Sequence, residues 1–244
     1  VMIPLWMFPL AIAAGNSFIL KPSEKDPLST VFITQLFNET KAPSGLLNLI
    51  HGDKNVVSNL IKDKRISAVS FVGSTDVARD IYKNSANNHK RCQALGGAKN
   101  HALVMSDANI EYTTDQIISA AFGSSGQRCM ALSVVMISSS IKKKFTEILI
   151  NKVKKLKVGF EDLNNNSFGP LVSKEHFDKV VGNIKIAQQE GSNIIVDGRD
   201  CLERKNYKKG YFLGPTLIDN VSTDMKSYLE EIFGPVLQII EIND

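Results

Sequence analysis

From Ser17 onward, short runs that are apolar at nearly every position alternate with longer segments whose apolar residues recur every three or four places. Ser17–Leu20, Leu46–Ile50 and Ala68–Val72 have the first pattern, and Pro27–Thr40, Val56–Lys62 and Thr75–Asn84 the second. Continuous apolar runs predict strands covered on both faces, and the amphipathic stretches predict the helices that cover them, hence a parallel sheet. In the 27–40 helix, Val31, Ile33, Leu36 and Phe37 are expected to face inward. Ligands of such sheets bind beyond the carboxyl ends of the strands. The loops to watch are therefore Lys21–Glu24, His51–Asn55 and Gly73–Thr75.

Glycines cluster around Leu95–Lys99, and a second series follows. Strands are expected at Ala102–Met105, Val134–Ser138, Asn193–Val196, Thr216–Ile218 and Val236–Ile242, with helices at Ile110–Phe122, Lys142–Leu156 and Lys174–Gln189. A boundary near Gly97 splits the chain into domains at 1–97 and 98–244. The apolar opening Val1–Ala14 falls short of the ~20 residues that span a bilayer. It contains Pro4 and Pro9, lacks the basic start of a signal peptide, and reads as a buried helix. Asn164–Asn166 and Glu203–Lys209 read as surface loops, and the lysines at 152, 154, 155 and 157 as the solvated face of a helix.

Composition narrows the function classes. The chain has 244 residues, 43% hydrophobic and 22% charged, which excludes disordered and fibrous classes. A net charge of +4 is too weak to argue for a nucleic acid or a membrane surface as partner. Cys92, Cys129 and Cys201 are odd in number and far apart, so no disulfide framework is expected and a reducing compartment is. His51, His89, His101 and His176 have no metal-ligand spacing. The chain opens on Val1 without an initiator and closes on Asp244 just after an apolar run, which reads as a piece of something longer.

No Gly-x-Gly-x-x-Gly follows a strand, and neither a Gly-x-Ser-x-Gly elbow nor a phosphate-binding loop is present. The distinctive stretch is Gly123-Ser124-Ser125-Gly126-Gln127-Arg128-Cys129-Met130. A cysteine after a flexible Gly/Ser segment, with a guanidinium beside it, suits a nucleophile, because exposed backbone N–H groups and a cation favour the thiolate. The competing reading is a small buried residue, as most free cysteines are. Cys92 and Cys201 lack such surroundings and are expected to be inert.

The Gly126–Cys129 run resembles the catalytic cysteine motif of the aldehyde dehydrogenase superfamily. Leu20–Glu24, Phe71–Thr75, Gly96–Lys99 and Glu231–Pro235 resemble four further landmarks of that superfamily, in its order. Within it, Pro4–Pro9, Gly97–His101 and Gln127–Ser133 are similar to the CoA-acylating methylmalonate-semialdehyde dehydrogenase branch. The resemblance implies an α/β fold, with part of a Rossmann-type cofactor domain followed by an α/β catalytic domain. It implies that Cys129 is the nucleophile and that NAD is the cofactor. Lys21 and Glu24 would then meet the adenosine ribose, Ser74 the pyrophosphate, and Glu231 and Phe233 the nicotinamide ribose and ring. Read alone, Lys21–Glu24 is a solvated turn with Ser23 as a helix cap, Ser74 is an N-cap, and Phe233 is core.

Hydrolytic members of the superfamily carry a glutamate just before the Leu-Gly-Gly-Lys stretch. Here either Ala94 or Leu95 takes its place, depending on the anchor, and neither is a carboxylate. Coenzyme A is then the expected acceptor of the acyl group. The resemblance associates Arg128 with a substrate carboxylate, for which its planar fork is suited, and the competing role is to favour the Cys129 thiolate. The family's oxyanion-hole asparagine would precede Val1, leaving the Cys129 N–H as the remaining donor. A small semialdehyde substrate, a homo-oligomer (tetramer or dimer), and a mitochondrial matrix or, outside eukaryotes, cytoplasmic location follow as expectations. Two alternatives stand beside this reading. One is a hydrolytic semialdehyde dehydrogenase, the other an inactive truncated protein that binds nucleotide or a partner.

Overall fold

The strands of the first half pair in twos, one feature of the computed structural model that the expected single parallel sheet did not foresee. The structure describes residues 2–159, 167–203 and 210–243, and the chain divides into two compact units, Val1–Gly97 and Ala98–Asp244.

The first unit runs α1 (Met2–Ala13), β1 (Phe18–Leu20), α2 (Leu28–Asn38), β2 (Leu47–Leu49), α3 (Lys54–Lys62), β3 (Ala68–Val72), α4 (Thr75–Asn87) and β4 (Arg91–Leu95). β1 and β2 pair in parallel, with Leu20 opposite Leu49, and β3 and β4 do the same, with Val72 opposite Leu95. The strands are not covered on both faces: Ile19 and Asn48 are exposed, as are Arg91, Gln93 and Leu95 on β4. Phe8, Leu20 and Leu47 form a small core, against which Phe37 packs edge-on to Phe8.

Two burial expectations are corrected here. The opening segment is helical, but Phe8 is its one buried residue, and Leu10 is 72% exposed. On α2 the inward stripe is Thr30, Ile33, Thr34 and Phe37, which share one helical face, while Leu36 lies about a quarter-turn away and is exposed. Thr34 is buried at little cost because its hydroxyl donates to the Thr30 carbonyl at 2.9 Å. Ser23 does not cap α2. Its oxygen accepts from the Lys25 amide, and Pro27 holds the N-cap position.

The second unit runs β5 (Asn100–Val104), α5 (Ile110–Phe122), a 3₁₀ turn at Gly123–Gly126, β6 (Leu132–Ser138), α6 (Ser139–Val153), α7 (Lys174–Gln189), β7 (Asn193–Val196), a second 3₁₀ turn at Gly198–Glu203, β8 (Thr216–Asp219), α8 (Lys226–Leu229) and β9 (Val236–Ile242). Its sheet has the order β5-β6-β9-β8-β7 and is parallel except for the β7–β8 pair. The central strands are fully buried at Val134, Val135, Ile137, Leu237 and Ile239. Phe122, Phe145 and Leu149 of α5 and α6 pack with Leu217, Leu237 and Ile239, whereas Val180 and Ile184 of α7 pack with Ile218 and Val236. Alternate residues of one strand thus feed opposite faces, as a sheet covered on both sides requires.

Lys152 is a further correction. It is not merely solvated: its ammonium donates to the Glu111 carbonyl, the Thr114 hydroxyl and the Asp115 carboxylate at 2.7–2.9 Å, fastening α6 to α5. Lys154, Lys155 and Lys157 are exposed. The loop readings for Asn164–Asn166 and for all but the first residue of Glu203–Lys209 lie outside the described residues. Among the described residues no helix is long and apolar enough to cross a membrane, and no group of three or more metal-ligating side chains forms.

Candidate active site

The cysteine turn is built on left-handed backbone. After α5, Ser124, Ser125 and Gly126 take φ values of 54°, 58° and 65° in succession, a conformation that L-residues adopt at a cost of about 1–3 kcal/mol each. Side chains hold it there. The Ser125 hydroxyl donates to the Gly169 carbonyl at 2.6 Å, and Gln127 donates to the Pro170 carbonyl and accepts from the Val172 amide. Gly126 is required twice over, by its φ and because a Cβ would lie 2.1 Å from the Gly234 carbonyl oxygen. Cys129 then sits in a turn closed by the Ala131 amide on the Arg128 carbonyl at 2.9 Å, just before β6.

Cys129 lines a cleft with Asn100, Arg128, Glu231 and Phe233. The Asn100 amide donates to the carbonyls of Cys129 and Ala131 at 2.8 and 2.9 Å, straddling the turn. Among the described residues the Cys129 N–H makes no hydrogen bond. Phe233 has a φ of 59°. The His176 Nε2 donates to its carbonyl at 2.6 Å, and the two rings meet edge-on at 5.8 Å. Glu231 accepts a long bond from the Ala98 amide at 3.3 Å.

Lys99 braces the same wall. Its ammonium donates to the carbonyls of Ser227 and Glu230 at 2.9 and 2.8 Å, one to four residues before Glu231. Burial lowers its pKa to about 8, although Glu231 and Glu230 pull the other way. His101 bridges the Lys99 carbonyl and the Tyr228 hydroxyl. The Glu190 carboxylate accepts from the amides of Lys226 and Ser227 and from the Ser227 hydroxyl, at the start of α8.

The expected site residues fall into two groups. Cys129, Arg128, Glu231 and Phe233 meet in this cleft of the second unit. Lys21, Glu24 and Ser74 belong to the first unit, at the carboxyl ends of β1 and β3. Lys21 donates to the carbonyls of Pro22 and Gly52 at 2.5 and 2.9 Å and lies 3.6 Å from the exposed Glu24 carboxylate. Ser74 is the N-cap of α4, but its side chain makes no capping bond. Its neighbour Thr75 instead accepts the Gly97 amide at 3.0 Å. The Arg128 guanidinium donates to the Ser119 and Ala120 carbonyls at the end of α5. It also covers Gly123, where a Cβ would lie 2.6 Å from Nη2.

Asn100, Lys99 and His176 were not singled out from the sequence as site residues. Lys99 and Asn100 fall within a motif used for the family resemblance, but their partners are more than 25 residues away. His176 shows only the Ser-x-x-His spacing of a helix start, with Ser173 as N-cap.

A half-buried thiol on a strained turn, in one cleft with a carboxylate and an aromatic ring, has the components of a thiol-dependent oxidoreductase. The aldehyde dehydrogenase family model matches residues 1–244, and the chain belongs to that family. It is 48% identical over 243 residues to a malonate-semialdehyde dehydrogenase of Bacillus cytotoxicus, a match covering 100% of this chain and 50% of the relative. A crystal structure of methylmalonate-semialdehyde dehydrogenase from Oceanimonas doudoroffii superposes with a TM-score of 0.95 at 50% identity, covering 100% of this chain and 50% of that one. A betaine aldehyde dehydrogenase from Staphylococcus aureus, in complex with NAD+, matches with a TM-score of 0.93 at 35% identity, covering 98% of this chain and 47% of that one. The fold is thus of the aldehyde dehydrogenase type. The chain spans about half the length of the curated relatives it matches.

Proposed function

We propose that the protein carrying this chain oxidises methylmalonate or malonate semialdehyde with NAD and delivers the acyl group to coenzyme A. The observation that carries the reading is the setting of Cys129, presented by a strained turn in a cleft with Glu231 and Phe233, its own N–H making no hydrogen bond among the described residues. A thiolate there adds to an aldehyde carbon and forms a hemithioacetal, whose oxygen the Cys129 N–H is placed to receive.

The side chains expected to meet NAD are available to it. Glu24 presents an exposed carboxylate for ribose hydroxyls, with Lys21 beside it. The Ser74 hydroxyl makes no capping bond, and it stands where the N-terminus of α4 favours a phosphate. Glu231 and Phe233 would hold the nicotinamide end. When bound, NAD supplies the acceptor for the hydride that leaves the hemithioacetal carbon.

The product of that oxidation is a thioester on Cys129. A substrate carboxylate β to its carbonyl leaves as CO₂, its bonding electrons forming the enolate, which is then protonated. Arg128 is the cation of this cleft and the proposed partner of that carboxylate, once its guanidinium turns from the Ser119 and Ala120 carbonyls. The CoA thiolate next attacks the carbonyl and Cys129 departs as thiolate. Ala94 and Leu95, where hydrolytic relatives carry glutamate, offer no general base for water, which favours the thiol acceptor.

The test uses the full-length protein. NADH and acetyl-CoA formed from malonate semialdehyde in equal amounts, lost by about a thousandfold or more in Cys129→Ala, would support the reading. NADH formed at full rate without CoA would replace it with a hydrolytic dehydrogenase. No turnover with either acceptor would leave a nucleotide-binding or interaction protein.

A further inference from the structure

We propose that Lys99 and Asn100, the last residue before β5 and its first, are positioning residues that set the two walls of the Cys129 cleft separately. Asn100 fixes the nucleophile's turn, and Lys99 fixes the segment that carries Glu231 and Phe233. The inference rests on the dehydrogenase reading above, since it concerns how that site is held in register.

The geometry divides cleanly between the two side chains. Asn100 spends both amide hydrogens on the turn, one on the Cys129 carbonyl and one on the Ala131 carbonyl. The β5–β6 register shifts between Asn100 and His101, so that Asn100 pairs with Leu132 and His101 with Val134. Such irregularities re-aim side chains beside active sites. Here the shift falls at the residue whose side chain straddles the cysteine turn. Lys99 points its ammonium at the other wall, onto the carbonyls of Ser227 and Glu230. The Ser227 carbonyl also accepts from the fully buried Gln238 amide at 3.1 Å. Lys99 therefore ties the approach to Glu231 to the central strand β9. Its ammonium also lies 6.0 Å from the centre of the Tyr228 ring.

Neither residue touches the reacting atoms in this arrangement. Their effect is on distance and angle, and a displacement of about 1 Å in a site of this kind is worth about a hundredfold in rate. Two adjacent residues at the entry to β5 set the two walls, so the gap between thiol and ring depends on both.

The experiment compares Asn100→Ala and Lys99→Met with wild type in the full-length protein, reading Cys129 alkylation by iodoacetamide and amide hydrogen exchange by segment. Asn100→Ala is expected to change the alkylation rate about fivefold or more and to speed exchange at 127–131, leaving 227–233 as in wild type. Lys99→Met is expected to speed exchange about tenfold at 227–233 and to leave Cys129 alkylation within about twofold. Should either variant fail to fold, Asn100→Ser, which keeps one donor hydrogen, and Lys99→Gln, which keeps a neutral amide donor, are expected to show the same split at smaller amplitude. Both variants loosening both segments together, or neither variant moving either readout, would overturn the proposal. The dehydrogenase reading fails separately, through the absence of aldehyde-dependent NADH formation in wild type, which neither readout requires.

Discussion

The imidazole of His176 donates from Nε2 to the backbone carbonyl of Phe233 at 2.6 Å, and the two rings meet edge-on. A carbonyl can only accept, so Nε2 carries the proton. The bond holds Phe233 at a φ of 59°, a backbone state rarely stable for an aromatic residue.

Removing that bond should release the strain and move the ring. His176→Ala is expected to cost about 1–2 kcal/mol of stability and, in the full-length protein, to raise the NAD KM more than it lowers kcat. Urea denaturation and steady-state kinetics check the two parts. An unchanged KM would show that the position of Phe233 does not depend on His176.

Gly126 has no room for a methyl group. Gly126→Ala would place Cβ 2.1 Å from the Gly234 carbonyl oxygen at a φ of +65°. A loss of about 3 kcal/mol or more is expected, read as a lower denaturation midpoint or as failure to accumulate folded protein. A variant as stable as wild type would contradict the close approach.

The buried ammonium of Lys99 makes part of the stability pH-dependent. Its pKa is about 8 in the folded protein against an ordinary lysine value of 10.5. Between those values the unfolded chain binds the proton more tightly. This group's contribution to stability therefore rises with pH from about 8 to 10.5 and is flat below 8. Wild type should thus gain stability relative to Lys99→Met across pH 8–10, while below pH 8 the difference stays constant. Denaturation series at fixed ionic strength would show it.

Two helix starts in the first unit should respond differently to mutation. Asp53 accepts the Asn55 amide at 2.9 Å as the N-cap of α3, so Asp53→Ala is expected to cost about 1 kcal/mol. Ser74 makes no such bond, and Ser74→Ala should stay within about 0.5 kcal/mol of wild type. In the full-length protein it should nonetheless weaken NAD binding several-fold, as measured by calorimetric titration. A stability cost without an affinity cost would make Ser74 a cap and nothing more.

The contrast between what the chain announces and what it conceals follows from the range of the interactions. α5, α7, β3, β7 and β9 were legible to the residue from the apolar pattern of each, even though β3 and β7 bury none of their residues fully. β4 was not: Arg91, Gln93 and Leu95 face outward and leave no apolar run, so its pairing with β3 decides its state. The antiparallel entry of β7 was likewise unreadable, since strand direction is a property of the partner. At the site, Cys129, Arg128, Glu231 and Phe233 were visible as motifs, and the structure gathers them in one cleft. The supports were hidden. His176 acts on a carbonyl 57 residues away and Lys99 on one 128 residues away, and no local pattern encodes such pairings.

One short stretch touches both sides of the cleft. Ser125 and Gln127 are bonded to Gly169, Pro170 and Val172, and four residues beyond Val172 the same stretch reaches His176 and its grip on Phe233. The thiol's turn and the ring are therefore both fastened to residues 169–176, the turn at the loop before α7 and the ring at its first turn. Eight residues of chain thus act as a common footing for nucleophile and ring, although the two are more than a hundred residues apart in sequence.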